Sequence, residues 1–111
     1  MDEFKFNSKV FDCPIVLFLD LIGGKWKSLI LWNLKDGTKR YGELRKLLSG
    51  VTPKMLTQQL RELEDDGIVM RKVYAEVPPK VEYTLTELGE SVMKVIWEMR
   101  NWGLKYYVEE N

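Results

Sequence analysis

The sequence predicts a mainly α-helical fold with one small β-hairpin, in the α+β class. Apolar residues recur at helical spacing through most of the chain, whereas residues 68–85 alternate with a period of two. The 111 residues, 45% of them hydrophobic, suit one compact domain with a modest core. We expect residues 1–12 to form an N-terminal arm and residues 13–111 to form this domain.

Two short apolar helices are predicted to open the domain. The first covers residues 14–22, because Pro14 suits a first helical position and Gly23 suits a helix end. The second covers residues 26–34 and ends at an Asp-Gly pair. Residues 38–41 are too few for more than a strand-like connection.

The middle of the chain has the pattern of a helix-turn-helix. Residues 42–48 predict a third helix, and Gly50 lies in the tight turn that follows it. Thr52 can cap a fourth helix, with Pro53 at its first position, which ends at an Asp-Gly pair. Together these segments predict a helix-turn-helix over about residues 42–66.

A hairpin and a long helix complete the chain. Strands are predicted over residues 69–74 and 81–85, joined by the segment Ala-Glu-Val-Pro-Pro-Lys, and they form a wing over about residues 68–85. Thr86 then caps a heavily apolar last helix over about residues 86–107. The predicted architecture is therefore a winged helix-turn-helix.

The fourth helix combines an apolar face with a polar face suited to DNA. At about 100° per residue, Leu56, Leu60 and Leu63 form the buried stripe. The opposite face is formed by Lys54, Gln58 and Arg61. Thr57 lies at one margin of this face, and Met55 and Glu62 lie toward the other. These side-chain types match base edges in the major groove, where Gln pairs with adenine and Arg or Lys with guanine. Taken alone, such a pattern is more commonly that of an ordinary amphipathic helix with a solvated face.

The charge distribution points to the same segment. The net charge is zero, yet residues 24–61 hold nine cations and only two carboxylates. Residues 1–23 hold two cations and four carboxylates, and residues 62–111 hold six and eleven. A basic middle with acidic flanks fits a single DNA-facing side, although charge alone fits ordinary solvated surface equally well.

We expect the fourth helix to read bases of double-stranded DNA and flanking residues to contact phosphates. The expected DNA-binding residues are Lys39, Arg40, Thr52, Lys54, Met55, Thr57, Gln58, Arg61 and Lys80. Lys80 is expected to project outward from the hairpin tip, because Pro78 and Pro79 stiffen the approach to it. The alternative function is a winged-helix protein-interaction module without DNA binding, which would carry acidic or apolar residues on the polar face of the fourth helix.

The residue types present exclude several classes of protein. There is no histidine and a single cysteine, so a Cys/His zinc site, an internal disulfide and a Ser-His or Cys-His nucleophile pair are ruled out. We therefore expect neither an enzyme nor a bound cofactor. No apolar run approaches the length of a membrane span and the first residues lack a signal-peptide core, so a cytoplasmic protein is expected.

Several motifs together resemble the HxlR-type family of bacterial winged helix-turn-helix regulators. They are Cys13-Pro14, LIGGKW at 21–26, TPKMLT at 52–57, LRELE at 60–64 and VPPKVEY at 77–83. The resemblance implies a homodimer formed by the first and last helices, bound to a pseudo-palindromic operator, which regulates nearby genes, often in response to reactive small molecules. The many aromatic residues of the last helix favour a dimer independently, because a domain of this size cannot easily bury them all.

Cys13 is a candidate redox or electrophile sensor. It stands at the start of the predicted first helix, where aligned backbone N–H groups favour a thiolate. Some members of the family that the chain resembles sense oxidants through a cysteine near this point. Asp12 and Asp20 oppose a negative sulfur, and Phe11 and Ile15 indicate an apolar neighbourhood. A structural cysteine is therefore an equally good interpretation.

Overall fold

A computed structural model of the protein describes residues 3–107. The elements follow in the order β1 (Phe4–Phe6), β2 (Lys9–Phe11), α1 (Pro14–Ile22), α2 (Lys25–Leu34), β3 (Lys39–Arg40), α3 (Tyr41–Leu47), α4 (Pro53–Asp65), β4 (Val69–Tyr74), β5 (Lys80–Leu85) and α5 (Glu87–Lys105). Residues 1–2 of the expected arm and 108–111 of the expected domain lie outside the described residues. Within residues 3–107, no helix is long and apolar enough to cross a membrane.

The predicted fold class is confirmed. Helices dominate the chain, α3 and α4 form the helix-turn-helix, and β4 and β5 form the wing. α1 and β4 have the predicted bounds, whereas α2, α3 and β5 each begin one residue earlier than expected. α3 begins early because the Glu43 carboxylate accepts a hydrogen bond of 2.9 Å from the Arg40 N–H, which makes Arg40 the N-cap residue.

The N-terminal arm contains a hairpin that has no clear signal in the sequence. β1 and β2 pair antiparallel, with Phe4 opposite Phe11. Asn7 and Ser8 form the two-residue turn with φ angles of 48° and 67°. Turns of this type favour glycine at such angles, and the sequence offers none here. The hairpin packs against α1, so the arm is part of the folded structure.

The core lies where α2, α4 and α5 pack against one another and against the wing sheet. α4 contributes the predicted stripe, and all three of its leucines are fully buried. The other large contributions come from Ile30, Leu31 and Leu34 of α2 and from Val92, Met93 and Ile96 of α5. Burial of one face of α4 leaves its opposite face in solvent.

The wing is anchored at its base to α5. The sheet order is β3–β5–β4, with antiparallel neighbours. Thr86 caps α5, because its hydroxyl accepts from the Gly89 N–H at 3.1 Å and lies 2.6 Å from the Gly67 carbonyl oxygen. A Cβ atom on Gly89 would lie 2.3 Å from the Ile68 carbonyl oxygen, which only glycine avoids. This contact fixes the end of α4, the wing and α5 relative to one another.

Candidate nucleic-acid interface

The exposed face of α4 carries the side chains that the sequence predicts for base reading. Thr52 caps the helix, and its hydroxyl accepts from the Met55 N–H at 3.1 Å. Lys54, Gln58 and Arg61 are all exposed. The structure therefore brings three long donor side chains together on one solvent-facing surface, as contacts with a major groove require.

Tyr41 ties the start of α3 to the start of α4. Its hydroxyl lies 3.1 Å from the Pro53 carbonyl oxygen and 3.2 Å from Thr57 Oγ1. The hydroxyls of Thr52 and Thr57 are therefore both engaged within the protein, one as a helix cap and one by Tyr41. A contact between Thr57 and a thymine methyl group would use the γ-methyl group of Thr57.

Further cations lie on β3 and α3. Lys39 and Arg40 form β3, and α3 adds Arg45 and Lys46, which are exposed. Across the described part of the chain, none of these four side chains has a carboxylate within ion-pair distance. They are available to neutralise phosphates.

Lys27 belongs to the basic segment but does not reach the surface. The residue is 8% exposed, and its Nζ lies 3.2 Å from Glu62 Oε2 on α4. The same carboxylate lies 3.4 Å from the Gln59 amide nitrogen. The pair holds α2 against α4, so Lys27 adds no charge to the DNA-facing surface.

Lys80 does not project from the hairpin tip, and that expectation is wrong. Residues 75–79 form the tip, and Lys80 begins β5 opposite Tyr74. Lys80 Nζ lies 2.9 Å from Glu82 Oε1 and 4.7 Å from the centre of the Tyr74 ring. The hydrogen bond between them raises the pKa of Lys80 and lowers the pKa of Glu82. Strand pairing places the side chain over the sheet, which the proline pair in the sequence does not reveal.

A cleft of about 320 Å³ separates α4 from the wing. We call it the α4–wing cleft; it is lined by Thr57, Arg61, Glu64, Asp65, Arg71 and Tyr83. Arg71 Nε lies 3.2 Å from Glu64 Oε2, so an ion pair links β4 to α4. Tyr83 is 8% exposed, and burial raises the pKa of its hydroxyl. Neither Arg71 nor Tyr83 is among the predicted site residues, because strand alternation does not show which element covers a strand.

Cys13 is the N-cap residue of α1 and is half-buried. Its carbonyl oxygen accepts from the Leu17 N–H at 3.1 Å. The sequence predicts that the Asp20 carboxylate disfavours a negative sulfur. In the structure, Asp20 Oδ2 lies 3.1 Å from Lys9 Nζ. Cys13 therefore lies, half-buried, at the junction of the N-terminal hairpin and α1.

Apolar side chains of α1 and α5 face solvent. The exposed ones on α1 are Ile15, Val16 and Leu19. Those on α5 and just after it are Val95, Trp97, Met99, Trp102, Leu104, Tyr106 and Tyr107. Exposed apolar surface of this extent marks an interaction site.

Known proteins have sequences similar to this one. Residues 21–111 match the family model of the HxlR-like helix-turn-helix. The chain is 56% identical over 94 residues to YdeP, an uncharacterised HTH-type transcriptional regulator of Bacillus subtilis (strain 168), and this alignment covers 85% of the chain and 73% of YdeP.

Solved structures share the fold as well. The redox regulator HypR in its oxidised form superposes with a TM-score of 0.83 at 48% identity, covering 87% of this chain and 100% of HypR. Diamide-treated YodB from Bacillus subtilis superposes with a TM-score of 0.71 at 39% identity, covering 87% of this chain and 97% of YodB. Sequence, fold and exposed helix face agree, and the chain belongs to the HxlR-like helix-turn-helix family of transcriptional regulators.

Proposed function

We propose that a homodimer of this chain binds a pseudo-palindromic site in double-stranded DNA, with α4 of each protomer in a major groove. The observation that carries the proposal is the division of α4 into two faces. Its leucines are buried in the core, while Lys54, Gln58 and Arg61 face solvent. A protein-interaction module without DNA binding would need acidic or apolar residues at these three positions, and none of them is of either type.

The proposed contacts divide into base reading and backbone binding. Bases are read by Lys54, Met55, Thr57, Gln58 and Arg61, and the backbone is contacted by Lys39, Arg40 and Thr52. Lys80 makes a weaker contribution to backbone binding than Lys39, because Glu82 already neutralises its charge.

Selection of bound sequences from a pool of randomised duplexes tests this function. On the selected duplex, Gln58→Ala and Arg61→Ala are each expected to cost about 1–3 kcal/mol of binding free energy and to relax base preference. Lys39→Ala is the matched control, since loss of a phosphate contact weakens selected and random duplexes by the same factor. If both α4 variants bind the selected duplex as the parent does, α4 is not the reading element.

A redox or electrophile response is the second function that we propose, with Cys13 as the sensor. Two observations support it: Cys13 is only half-buried at the start of α1, and the fold is shared with the redox regulator HypR and with diamide-treated YodB. Because the chain has one cysteine, oxidation would give an intersubunit disulfide, a mixed disulfide with a small thiol, or a sulfenic acid. Any of these products would change the junction between the N-terminal hairpin and α1.

A further inference from the structure

Tyr83 lines the α4–wing cleft with a hydroxyl that has no partner among residues 3–107. The residue is 8% exposed, so more than nine-tenths of it is buried. In the described part of the chain, every fully buried side-chain nitrogen or oxygen has a hydrogen-bond partner, so the unpartnered Tyr83 oxygen is open to the cleft. Like any tyrosine hydroxyl, that of Tyr83 is protonated at neutral pH and able to donate, and burial raises its pKa further.

Cationic residues lie on either side of Tyr83 in the sheet. Tyr83 of β5 is opposite Arg71 of β4 on one side and opposite Lys39 of β3 on the other. Directly opposite residues project from the same face of a sheet, so the three side chains form a row across it. Arg61 of α4 lines the same cleft. A phenol donor beside the Arg71 guanidinium, in a cleft that Arg61 also lines, is suited to an anionic ligand.

The two carboxylates of the cleft do not cancel this preference. Arg71 directs Nε toward Glu64, at 3.2 Å from Oε2 and 3.5 Å from Oε1. A guanidinium has five N–H donors, so this pair leaves the four on its terminal nitrogens for a ligand. Glu64 is therefore a positioning residue that holds Arg71 beside Tyr83. Asp65 is exposed at the end of α4.

We propose that the α4–wing cleft binds one phosphate of the DNA backbone in each protomer, with the Tyr83 hydroxyl and the Arg71 guanidinium as its donors. The inference rests on the proposed insertion of α4 into a major groove. Because Arg61 belongs both to the reading face of α4 and to the cleft, a duplex held on that face brings a sugar-phosphate strand to the cleft. The contact is independent of base sequence and fixes the register of α4 in the groove.

Affinity measurements on point variants provide the first test. Tyr83→Phe removes only the hydroxyl and keeps the buried ring, and Arg71→Gln removes the charge. Each is expected to weaken binding to the selected duplex and to a random duplex of equal length by the same factor, about 5- to 20-fold. Arg71→Gln should also reduce the slope of log Kd against log salt by about one per phosphate site lost, whereas Tyr83→Phe should leave it unchanged. The control Lys94→Gln, which removes an exposed charge on α5, should alter neither quantity.

Neutral methylphosphonate replacements, made one at a time in the selected duplex, locate the phosphate. At the bound position, replacement should weaken the parent but cost Arg71→Gln little more, whereas at other positions it should cost both proteins equally. Parent-like affinity of Tyr83→Phe and Arg71→Gln, with Gln58→Ala and Arg61→Ala still weakened, would overturn the phosphate site and leave the proposed DNA binding intact. Failure of the parent to bind any duplex would overturn both. If inorganic phosphate displaces DNA from the parent better than chloride at equal ionic strength, but not from Tyr83→Phe, the cleft binds a free anion and the backbone assignment is wrong.

Discussion

At the residue scale, Cys13 lies between the N-terminal hairpin and α1. It follows β2 and occupies the N-cap position of α1, so a group added to its sulfur lies where the hairpin meets the helix. Lys9 of the hairpin pairs with Asp20 of α1 at 3.1 Å, and this hydrogen bond raises the pKa of Lys9. At the hairpin turn, the Asn7 amide donates to Asp66, the C-cap residue that follows α4, at 3.4 Å. The hairpin thus contacts both the helix that carries the thiol and the helix proposed to read DNA.

Oxidation of Cys13 is expected to change the affinity for the selected duplex. Parent protein and Cys13→Ser are compared before and after treatment with diamide or a quinone, and after a reducing thiol is added to the diamide-treated samples. The parent should change affinity, with recovery on reduction after diamide, and Cys13→Ser should not respond. An intersubunit disulfide would be seen as a dimer on a non-reducing gel and requires Cα atoms within roughly 7 Å. An unchanged parent, or an equal response of Cys13→Ser, would make Cys13 a packing residue.

Local spacing in the sequence predicts which residues form the reading face of α4. It does not predict which of the nearby charged side chains are buried or paired. Lys54 and Leu56 lie on opposite faces because the helical period alone places them there. Lys27 forms an ion pair with Glu62 on α4, and Lys80 forms one with Glu82 within the wing. A linear sequence contains the charges of these residues but not the approach of the elements that bury or neutralise them.

At the scale of elements, the sequence predicts the N-terminal caps of α4 and α5. Thr52 and Thr86 each accept a backbone N–H at 3.1 Å, and the helices that follow them begin where the sequence predicts. The N-terminal hairpin could not be read in this way, because Asn7 and Ser8 adopt positive φ without a glycine. Its stability comes from pairing and from packing on α1, which are not local signals.

Because α5 lies close to the base of the wing, Gly89→Ala is expected to lower the free energy of unfolding, whereas Gly103→Ala in the same helix is not. Gly89→Ala would place a Cβ atom against the Ile68 carbonyl and should lower the free energy of unfolding by about 1–3 kcal/mol. Gly103→Ala is the control, because no atom lies within 4 Å of an added Cβ and alanine favours the helix by up to about 1 kcal/mol. Denaturant unfolding at one protein concentration measures both variants. A Gly89→Ala protein as stable as Gly103→Ala would show that α5 does not approach the wing this closely.

At the scale of the whole molecule, two kinds of surface belong to different elements. Cations are carried by β3 and by the exposed face of α4, among them Lys39, Arg40, Lys54 and Arg61. α1 and α5 expose apolar side chains that a single chain leaves in water. Joining two chains through α1 and α5 would bury that surface and present two copies of α4 to DNA half-sites about one helical turn apart. Dimerisation and DNA binding are therefore expected to fail together.

A single charge on the apolar side of α5 is expected to separate the protomers and weaken DNA binding. Helical spacing places Val95, Met99, Trp102 and Tyr106 on one side of the helix, and Trp102 is 67% exposed. Trp102→Glu would bury a carboxylate in the interface, so sedimentation should show monomers, and affinity for the selected duplex should fall at least tenfold through loss of the second half-site. Asn101→Glu is the matched control, because it adds the same charge one residue away, on the polar side of α5, and should remain dimeric. A dimeric Trp102→Glu, or equal dissociation of both variants, would place the dimer interface elsewhere.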